Sequence, residues 1–269
     1  MPAKPAAETP TALITGASSG IGDALAKCFA RGGYRLVLVA RSKGKLLELA
    51  ELLRAEHGVA VDVLPTDLSA PGAAVALAAR LRRKRRPVHV LVNNAGALEQ
   101  GAFTQITAAR HQQLIALNVS GLTAMLSAFV PAMVARGHGR VLNVASIAAF
   151  QPVPGLASYA ATKAYVLSLT ESLAEELRGS GVTVSALCPG ITATAMLSSA
   201  AEHNARVSEL PGFLIGNVDE VAAEGYRACL AGEVITVPGW INRATTVAGR
   251  ATPKWLLRRI SGLVGRRLI

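Results

Sequence analysis

Tyr159 and Lys163 stand four residues apart in a segment that is predicted to be helical, so their side chains share one helical face. A free tyrosine has a pKa of about 10 and carries protons poorly at neutral pH. A neighbouring ammonium stabilises the phenolate and lowers that pKa, which predicts proton exchange with a substrate oxygen. Ser146 follows a buried strand, where its hydroxyl could bond the same oxygen or merely turn the chain. Because tyrosine and lysine often occur at this spacing by chance, the pair alone does not identify a catalytic site, and further motifs are needed.

A glycine-rich loop at residues 15–22 follows the first apolar run and contains Gly16, Gly20 and Gly22. Glycine lets the backbone turn tightly and approach a phosphate without a side chain between them. The helix predicted to begin near Gly20 would offer free N–H groups to an anion. The three residues between Gly16 and Gly20 differ from the commoner dinucleotide spacing of one residue. The loop indicates a nucleotide site, with an ordinary turn as the alternative.

Arg41 follows the second predicted strand, about 20 residues after the loop. A carboxylate at this place would bind the ribose 2′-hydroxyl of NAD, and the sequence has none there. The planar guanidinium of Arg41 instead suits a 2′-phosphate, although an exposed arginine at a loop start is the plain alternative. The spacing therefore favours NADP(H).

Short β-branched runs alternate with helical patterns along the chain. Strands are predicted at residues 11–14, 35–39, 59–64, 88–92, 141–144, 182–187 and 234–237, and helices at 20–31, 45–56, 72–85, 108–136, 158–178 and 218–231. Such alternation predicts one doubly wound α/β domain, Rossmann-like, with a parallel sheet of about seven strands and helices on both faces. Two stretches without charge, roughly residues 113–135 and 141–162, are interpreted as buried elements of this fold.

Three segments lie outside this pattern. Residues 1–10 are predicted to be a disordered tail that precedes a domain at 11–250. Residues 192–217 interrupt the alternation and are predicted to be a substrate loop, because ligands bind beyond the carboxyl ends of parallel strands. Residues 251–269 form a basic amphipathic extension. Docking on its own domain or on a subunit partner is favoured over contact with a membrane surface.

Composition narrows the classes of partner. The 28 basic and 17 acidic residues give a net charge of +11, which favours anionic partners. The basic cluster at residues 80–86 has no aromatic residues among it, so no nucleic-acid groove is expected. The three cysteines, Cys28, Cys188 and Cys229, are far apart in sequence, which predicts reduced thiols in the cytoplasm and neither a disulfide framework nor a metal site.

Taken together, the motifs resemble the short-chain dehydrogenase/reductase family, in its NADP(H)-preferring bacterial-type branch, over nearly the whole chain. The matching residues are the loop 15–22, Asn93-Asn-Ala-Gly96, Asn118, Ser146, Tyr159-Ala-Ala-Thr-Lys163, and Pro189-Gly190 with Thr194, in the family's order. The resemblance implies an enzyme that transfers a hydride between NADP(H) and a carbonyl or alcohol carbon.

The resemblance also implies residue roles. Ser146 orients the carbonyl, Tyr159 exchanges the proton, Lys163 binds the nicotinamide ribose and tunes Tyr159, and Asn118 bends its helix and holds a water of the proton relay. The implied cofactor residues are Gly16, Ser18, Ser19, Gly20, Ile21 and Gly22 at the turn, Arg41 and Ser42 at the 2′-phosphate, Asp67 at the adenine, Asn93, Ala95 and Gly96 at the ribose, and Pro189, Gly190, Ile191 and Thr194 at the nicotinamide, together with Tyr159 and Lys163.

The expected substrate is a small, fairly hydrophobic ketone or aldehyde. The residues expected near it are mostly apolar, namely Ile147, Ala148, Phe150, Val153, Met196, Leu197, Phe213 and Leu214. A 3-oxoacyl-(acyl-carrier-protein) reductase is the runner-up, and a non-catalytic NADP(H)-binding regulator is the alternative from another class. The resemblance and the apolar helix near residues 114–134 predict a homodimer or homotetramer.

Overall fold

A parallel sheet of seven strands forms the centre of the computed structural model, which describes residues 9–192 and 215–265. The strands are β1 (Thr11–Thr15), β2 (Arg35–Ala40), β3 (Val61–Pro65), β4 (Val90–Asn93), β5 (Gly139–Val144), β6 (Val182–Leu187) and β7 (Ile235–Thr236). Their order across the sheet is β3-β2-β1-β4-β5-β6-β7, and every neighbouring pair is parallel. This arrangement confirms the predicted fold class.

The helices cover both faces of the sheet. They are α1 (Gly20–Arg31), α2 (Lys43–His57), α3 (Ala73–Arg83), α4 (Ala108–Ile115), α5 (Leu122–Arg136), α6 (Ala157–Glu176), α7 (Val218–Ala231), α8 (Trp240–Ala251) and α9 (Lys254–Gly265). Helices α1, α2 and α7 bury their apolar sides in one core layer, and α3, α5 and α6 in the other. Successive residues of β1 show why its middle is apolar on both sides, since Leu13 enters one layer and Ile14 the other.

The helix predicted over residues 108–136 contains a π-helical turn, Ala116–Gly121, that separates α4 from α5. Gly121 passes so close to the backbone of Leu68 that a Cβ there would lie 2.5 Å from the Leu68 carbonyl oxygen. The π turn widens the helix locally and changes the direction in which its side chains leave it. By length and composition the whole helix could cross a membrane, but Met125 and Met133 are fully buried in the core, as the sequence interpretation expected.

Other boundaries differ from the sequence predictions by a few residues, and one helix was missed. Helix α8 begins at Trp240, directly after Gly239, whose φ of 81° favours glycine, and contains Thr245, Thr246 and Val247 in succession. Three β-branched residues lower helix propensity, which is why the sequence pattern gave no helix there. Helix α9 confirms the helical spacing expected in the carboxyl-terminal extension.

Candidate active site

A cavity of about 840 Å³ lies beyond the carboxyl ends of the strands, where the strand order reverses between β1 and β4. Most of the residues expected from the sequence line it. They are Gly16, Ser18, Ser19, Gly20, Ile21, Arg41, Ser42, Asp67, Ala95, Gly96, Ser146, Tyr159, Lys163, Pro189, Gly190 and Ile191. Gly22, Asn93 and Asn118 stand behind the wall of the cavity, and Thr194 lies outside the described residues.

The loop after β1 takes a shape that only glycine permits. Gly16 and Gly20 have φ values of 65° and 58°, in the left-handed region. Gly22 lies against the carbonyl oxygen of Gly16 and the side chain of Asn94, with no room for a Cβ atom. Ser19 precedes α1, and within the part of the chain that the structure describes its side chain forms no capping hydrogen bond. The first-turn N–H groups of α1 thus remain able to bind an anion.

Asn94 and Thr15 hold this loop in place, a role that the sequence argument did not assign. The Asn94 Nδ2 donates to the carbonyl oxygens of Thr15 at 3.0 Å and Gly16 at 3.2 Å. The Thr15 hydroxyl donates to the Val92 carbonyl at 3.1 Å and accepts the backbone N–H groups of Asn94 and Ala95, each at 3.0 Å. Both residues lie in the motifs that carried the resemblance, so position in the motif was the available signal.

Arg41 and Asp67 stand together at the end of the cavity beside β2 and β3. The Asp67 carboxylate accepts two hydrogen bonds from Ser69, from the hydroxyl at 2.6 Å and from the backbone N–H at 2.9 Å. These bonds lower the pKa of Asp67, and the charge of Arg41 contributes in the same direction. Arg41 is exposed, so its guanidinium is accessible to an anionic ligand in this end of the cavity.

Asn93, expected at the ribose, instead belongs to the interior of the sheet. Its Nδ2 donates to the Oδ1 of Asn143 at 2.9 Å, and the Nδ2 of Asn143 donates to the Thr170 hydroxyl of α6 at 2.9 Å. All three side chains are buried. We call this chain of hydrogen bonds the amide ladder; it joins β4, β5 and α6. Asn93 therefore supports helix α6, and Asn94 lines the cavity in its place.

Asn118 lies in the π turn and connects the segment after β4 with α6. Its Oδ1 accepts the backbone N–H of Ala97 at 2.9 Å, and its Nδ2 donates to the Ala97 carbonyl at 3.0 Å and to the Thr162 hydroxyl at 3.1 Å. A Cβ on Gly96 would lie 3.4 Å from Asn118 Oδ1 and 3.6 Å from Lys163 Nζ, so the three residues are close neighbours. The position agrees with the expected bend in the helix, while the water-holding role stays a prediction.

Tyr159 and Ser146 meet at the wall of the cavity. Ser146 begins the short helical turn Ile147–Phe150, and its Oγ accepts the Ala148 N–H at 3.1 Å. Burial raises the pKa of Tyr159, and a hydrogen bond with Ser146 opposes that rise. From the sequence, Lys163 was expected to lower this pKa. In the structure the pKa of Tyr159 is instead raised, because burial outweighs the hydrogen bond with Ser146, so the phenol is protonated at neutral pH.

Lys163 lies one helical turn after Tyr159 and is almost completely buried, with 6% of its surface exposed. Its Nζ donates to the Val144 carbonyl at the end of β5 at 2.8 Å and lies 5.8 Å from the centre of the Tyr159 ring. Burial lowers the pKa of Lys163 to about 8. The position is close enough for the ammonium to act on both the tyrosine and a ligand that borders Gly96.

The end of the cavity beyond Tyr159 is mainly apolar. Leu98, Ile147, Val153, Leu156 and Ile191 contribute to its wall, and Gln100 and Gln151 add amide groups. Ala148 also lines the cavity, whereas Phe150 packs against the core. Met196, Leu197, Phe213 and Leu214 lie outside the described residues, as does most of the predicted substrate loop.

Comparison with known proteins gives consistent matches. A family profile described as short chain dehydrogenase matches residues 10–205. Oxidoreductase UcpA of Escherichia coli is 36% identical over 195 residues, which cover 72% of this chain and 73% of that protein. Acetoacetyl-CoA reductase of Shinella zoogloeoides is 35% identical over 214 residues, which cover 78% of this chain and 87% of that protein.

A solved structure extends the likeness to nearly the whole fold. A short-chain dehydrogenase from Sphingobium yanoikuyae in complex with NADPH matches with a TM-score of 0.79 and 40% identity, over 89% of this chain and 92% of its own. The profile covers well over half of the sequence, and its range includes the glycine loop, Ser146, Tyr159 and Lys163. With this sheet order and these side chains around one cavity, the chain is an enzyme of the short chain dehydrogenase family of oxidoreductases.

Proposed function

We propose that this enzyme reduces a hydrophobic ketone or aldehyde to an alcohol, with NADPH as the hydride donor. The observation that carries the proposal is the position of Tyr159, Ser146 and Lys163 between a glycine-lined loop and an apolar pocket in one cavity. The two ends of the cavity suit the two reactants, because the glycine loop and α1 offer backbone N–H groups to a phosphate and the other end is lined mainly by apolar side chains.

The cavity fits NADP(H) in its shape and in its charge. The close approach of Gly16 and Gly22 and the open amino end of α1 provide a cradle for a diphosphate. Arg41 stands where a 2′-phosphate would lie, at the end of β2. The related dehydrogenase from Sphingobium yanoikuyae is described in complex with NADPH, which supports the same preference here.

The bound nicotinamide supplies the hydride, and the protein manages the substrate oxygen. The hydroxyls of Ser146 and Tyr159 donate hydrogen bonds to the carbonyl oxygen and stabilise the negative charge that develops there. Tyr159 then releases its proton to that oxygen. The Lys163 ammonium stabilises the resulting phenolate. The raised pKa of free Tyr159 keeps the phenol protonated at neutral pH, which is the form that the reduction requires before the proton is transferred.

A 3-oxoacyl thioester is the second candidate substrate. Its support is the relationship to acetoacetyl-CoA reductase, and to a putative ketoacyl reductase of the granaticin polyketide synthase of Streptomyces violaceoruber that is 36% identical over 203 residues. The net charge of +11 would also suit an acidic carrier protein. A non-catalytic NADP(H)-binding regulator would not need Tyr159 and Ser146 side by side.

A substrate panel tests the proposal. The loss of NADPH absorbance is followed with hydrophobic ketones, aldehydes, acetoacetyl-CoA and a 3-oxoacyl carrier protein, with Tyr159→Phe as the matched control. We expect turnover of the free hydrophobic carbonyls, and a loss of at least about 100-fold in kcat with unchanged NADPH affinity in the control. Turnover restricted to thioesters would establish the second candidate. Tight NADPH binding without turnover of any compound would favour the regulator.

The assembly and location of the enzyme follow from the same family likeness. We expect a cytoplasmic homodimer or homotetramer that joins through the outer surfaces of α4, α5 and α6. Ile115, Val134 and Tyr165 are each at least 37% exposed on these helices, which suits a subunit contact. Light scattering at micromolar concentration should give a dimer or tetramer mass, and a monomer mass would contradict this expectation.

A further inference from the structure

The carboxyl-terminal helices α8 and α9 carry exposed apolar residues that the proposed reaction does not use. Both tryptophans of the chain are here, Trp240 with 79% and Trp255 with 56% of its surface exposed. Val247 of α8 is 67% exposed and Leu256 of α9 is 36% exposed. Tryptophan and aliphatic side chains in such positions are typical of a surface that contacts another phase or molecule.

The charged side chains of the same segment are all positive. Residues 234–269 contain Arg243, Arg250, Lys254, Arg258, Arg259, Arg266 and Arg267, and no aspartate or glutamate. Arg243 forms an ion pair with Glu224 of α7 at 3.0 Å. Arg258 and Arg259 are exposed on α9. The segment is therefore cationic by sequence, and it exposes Arg258 and Arg259 on the same helix as Trp255 and Leu256.

The favoured sequence interpretation, that this extension docks on its own domain or on a subunit partner, stays a prediction. Helix α9 shares no extensive contact with any other helix or strand in residues 9–192 and 215–265. The sequence spacing of Leu256, Ile260 and Leu263 follows one helical face, so the helix is amphipathic by sequence.

Helix α8, by contrast, is fixed to the rim of the active-site cavity. It packs against the turn Ile147–Phe150, which begins at Ser146. The side chain of Asn242 lies so close to Gly190 that a Cβ on that glycine would be 2.6 Å from it, and Asn242 Nδ2 donates to the Pro238 carbonyl at 2.9 Å. Whatever binds the α8–α9 surface is thereby held beside the entrance to the cavity.

We propose that α8 and α9 dock the enzyme on the surface of an anionic phospholipid bilayer. Tryptophans prefer the headgroup region, and a basic amphipathic helix combines burial of its apolar face with attraction to lipid phosphates. A second copy of this chain fits less well, because a two-fold contact through this surface would set two carboxylate-free cationic segments against each other. A nucleic acid or an acidic carrier protein would satisfy the charge and leave the exposed tryptophans without an apolar environment.

The full-length enzyme with bound NADPH provides a direct test. It is sedimented with phosphatidylcholine vesicles that contain either no anionic lipid or about 30% phosphatidylglycerol, and its tryptophan emission is recorded. Because both tryptophans lie in the proposed surface, we expect the emission to shift to the blue with the anionic vesicles, and the bound fraction to fall as salt is added. Absence of co-sedimentation with anionic vesicles at low salt would overturn the proposal.

Matched variants distinguish docking through this surface from a general attraction that the net charge of the protein would cause. Arg258→Glu with Arg259→Glu should weaken vesicle binding by at least about 25-fold, at roughly fivefold for each lost cation. Arg82→Glu with Arg83→Glu changes the net charge equally, at exposed positions near the end of α3 that leads into β4. These control residues are at the opposite end of the sheet, and binding should remain within about twofold of the unchanged protein.

A milder pair, Trp240→Ala and Trp255→Ala, keeps the test interpretable if the charge reversal impairs folding. Each variant should reduce vesicle binding, and circular dichroism and NADPH binding should remain unchanged. An equal loss in the α3 control would show that general charge attraction is responsible, which would refute a docking surface. A drop in oligomer mass in the α8–α9 variants would assign the surface to subunit contact instead. Capture of a carrier protein without vesicle binding would likewise overturn the proposal.

Discussion

Replacement of the buried lysine should make the enzyme more stable while destroying its activity. Lys163 is 6% exposed, and burial lowers its pKa from 10.5 to about 8. Methionine has a similar length and no charge, so Lys163→Met removes the cost of a buried ammonium with little change in packing. The structure thus predicts a conflict between function and stability at one side chain.

The magnitude follows from two opposing contributions. A pKa of about 8 instead of 10.5 means that folding disfavours the charged lysine by roughly 3 kcal/mol. The variant loses the hydrogen bond from Nζ to the Val144 carbonyl, which is worth about 1 kcal/mol. The net gain near neutral pH is then about 2 kcal/mol, or roughly 4–8 °C in melting temperature.

The dependence on pH has a defined sign. Between about pH 8 and 10.5 the folded protein has lost the lysine proton that the unfolded chain still binds, so the free energy of unfolding rises with pH in this window. The penalty is fully present below pH 8 in the unchanged enzyme and disappears toward pH 10.5. The advantage of Lys163→Met should therefore shrink as the pH rises, and near pH 10 the lost hydrogen bond should leave no advantage.

Thermal unfolding of the cofactor-free proteins, followed by circular dichroism at several pH values, measures this difference. Lys45→Met, at an exposed position of α2, is the control and should show no such trend. A variant that is less stable than the unchanged enzyme near neutral pH would refute the reasoning. So would a stability difference that stays constant across the window, because it would show that packing and not charge is responsible.

Two further predictions concern the cofactor. Arg41→Asp should reduce or reverse the preference for NADPH over NADH in kcat/KM, because a repelling charge replaces the expected phosphate ligand; equal efficiency with both cofactors before the substitution would count against this role. Gly22→Ala should weaken NADPH binding at least about tenfold and lower stability by about 1–3 kcal/mol, since its methyl group would collide with the Gly16 carbonyl. Titration calorimetry measures the affinity of each variant for NADPH. Gly44→Ala is the control: its methyl group meets open space, so it should bind NADPH normally.

The fold could be predicted from the sequence because the patterns that indicate it lie within short segments of the chain. The central strands are apolar on both faces, as β1 illustrates with Leu13 and Ile14 in opposite core layers. The glycine loop was recognisable because its left-handed backbone at Gly16 and Gly20 excludes other residues. Arg41 could be placed by counting along the chain, since a βαβ unit has a nearly fixed length.

The remaining features depend on contacts between distant segments. The inward position of Asn93 is determined by Asn143, which is 50 residues away, so the motif alone did not distinguish it from its neighbour Asn94. The π turn at Asn118 ends at Gly121, which lies against the backbone of the distant residue Leu68, a contact that the helical spacing does not encode. The pKa of Tyr159 depends on how deeply the folded protein buries the ring, which the four-residue spacing to Lys163 does not encode.

The amide ladder has a consequence for how such an enzyme could be re-engineered. It attaches α6, and with it Tyr159 and Lys163, to the middle of the sheet through bonds of 2.9 Å that involve no residue of the cavity wall near the substrate. Remodelling of Leu98 or Val153 therefore does not involve the hydrogen bonds that anchor α6. The residues that select the substrate are thus separate from the hydrogen bonds that position Tyr159 and Lys163. New substrates can therefore be sought by replacing residues of the apolar cavity wall while these two side chains keep their alignment.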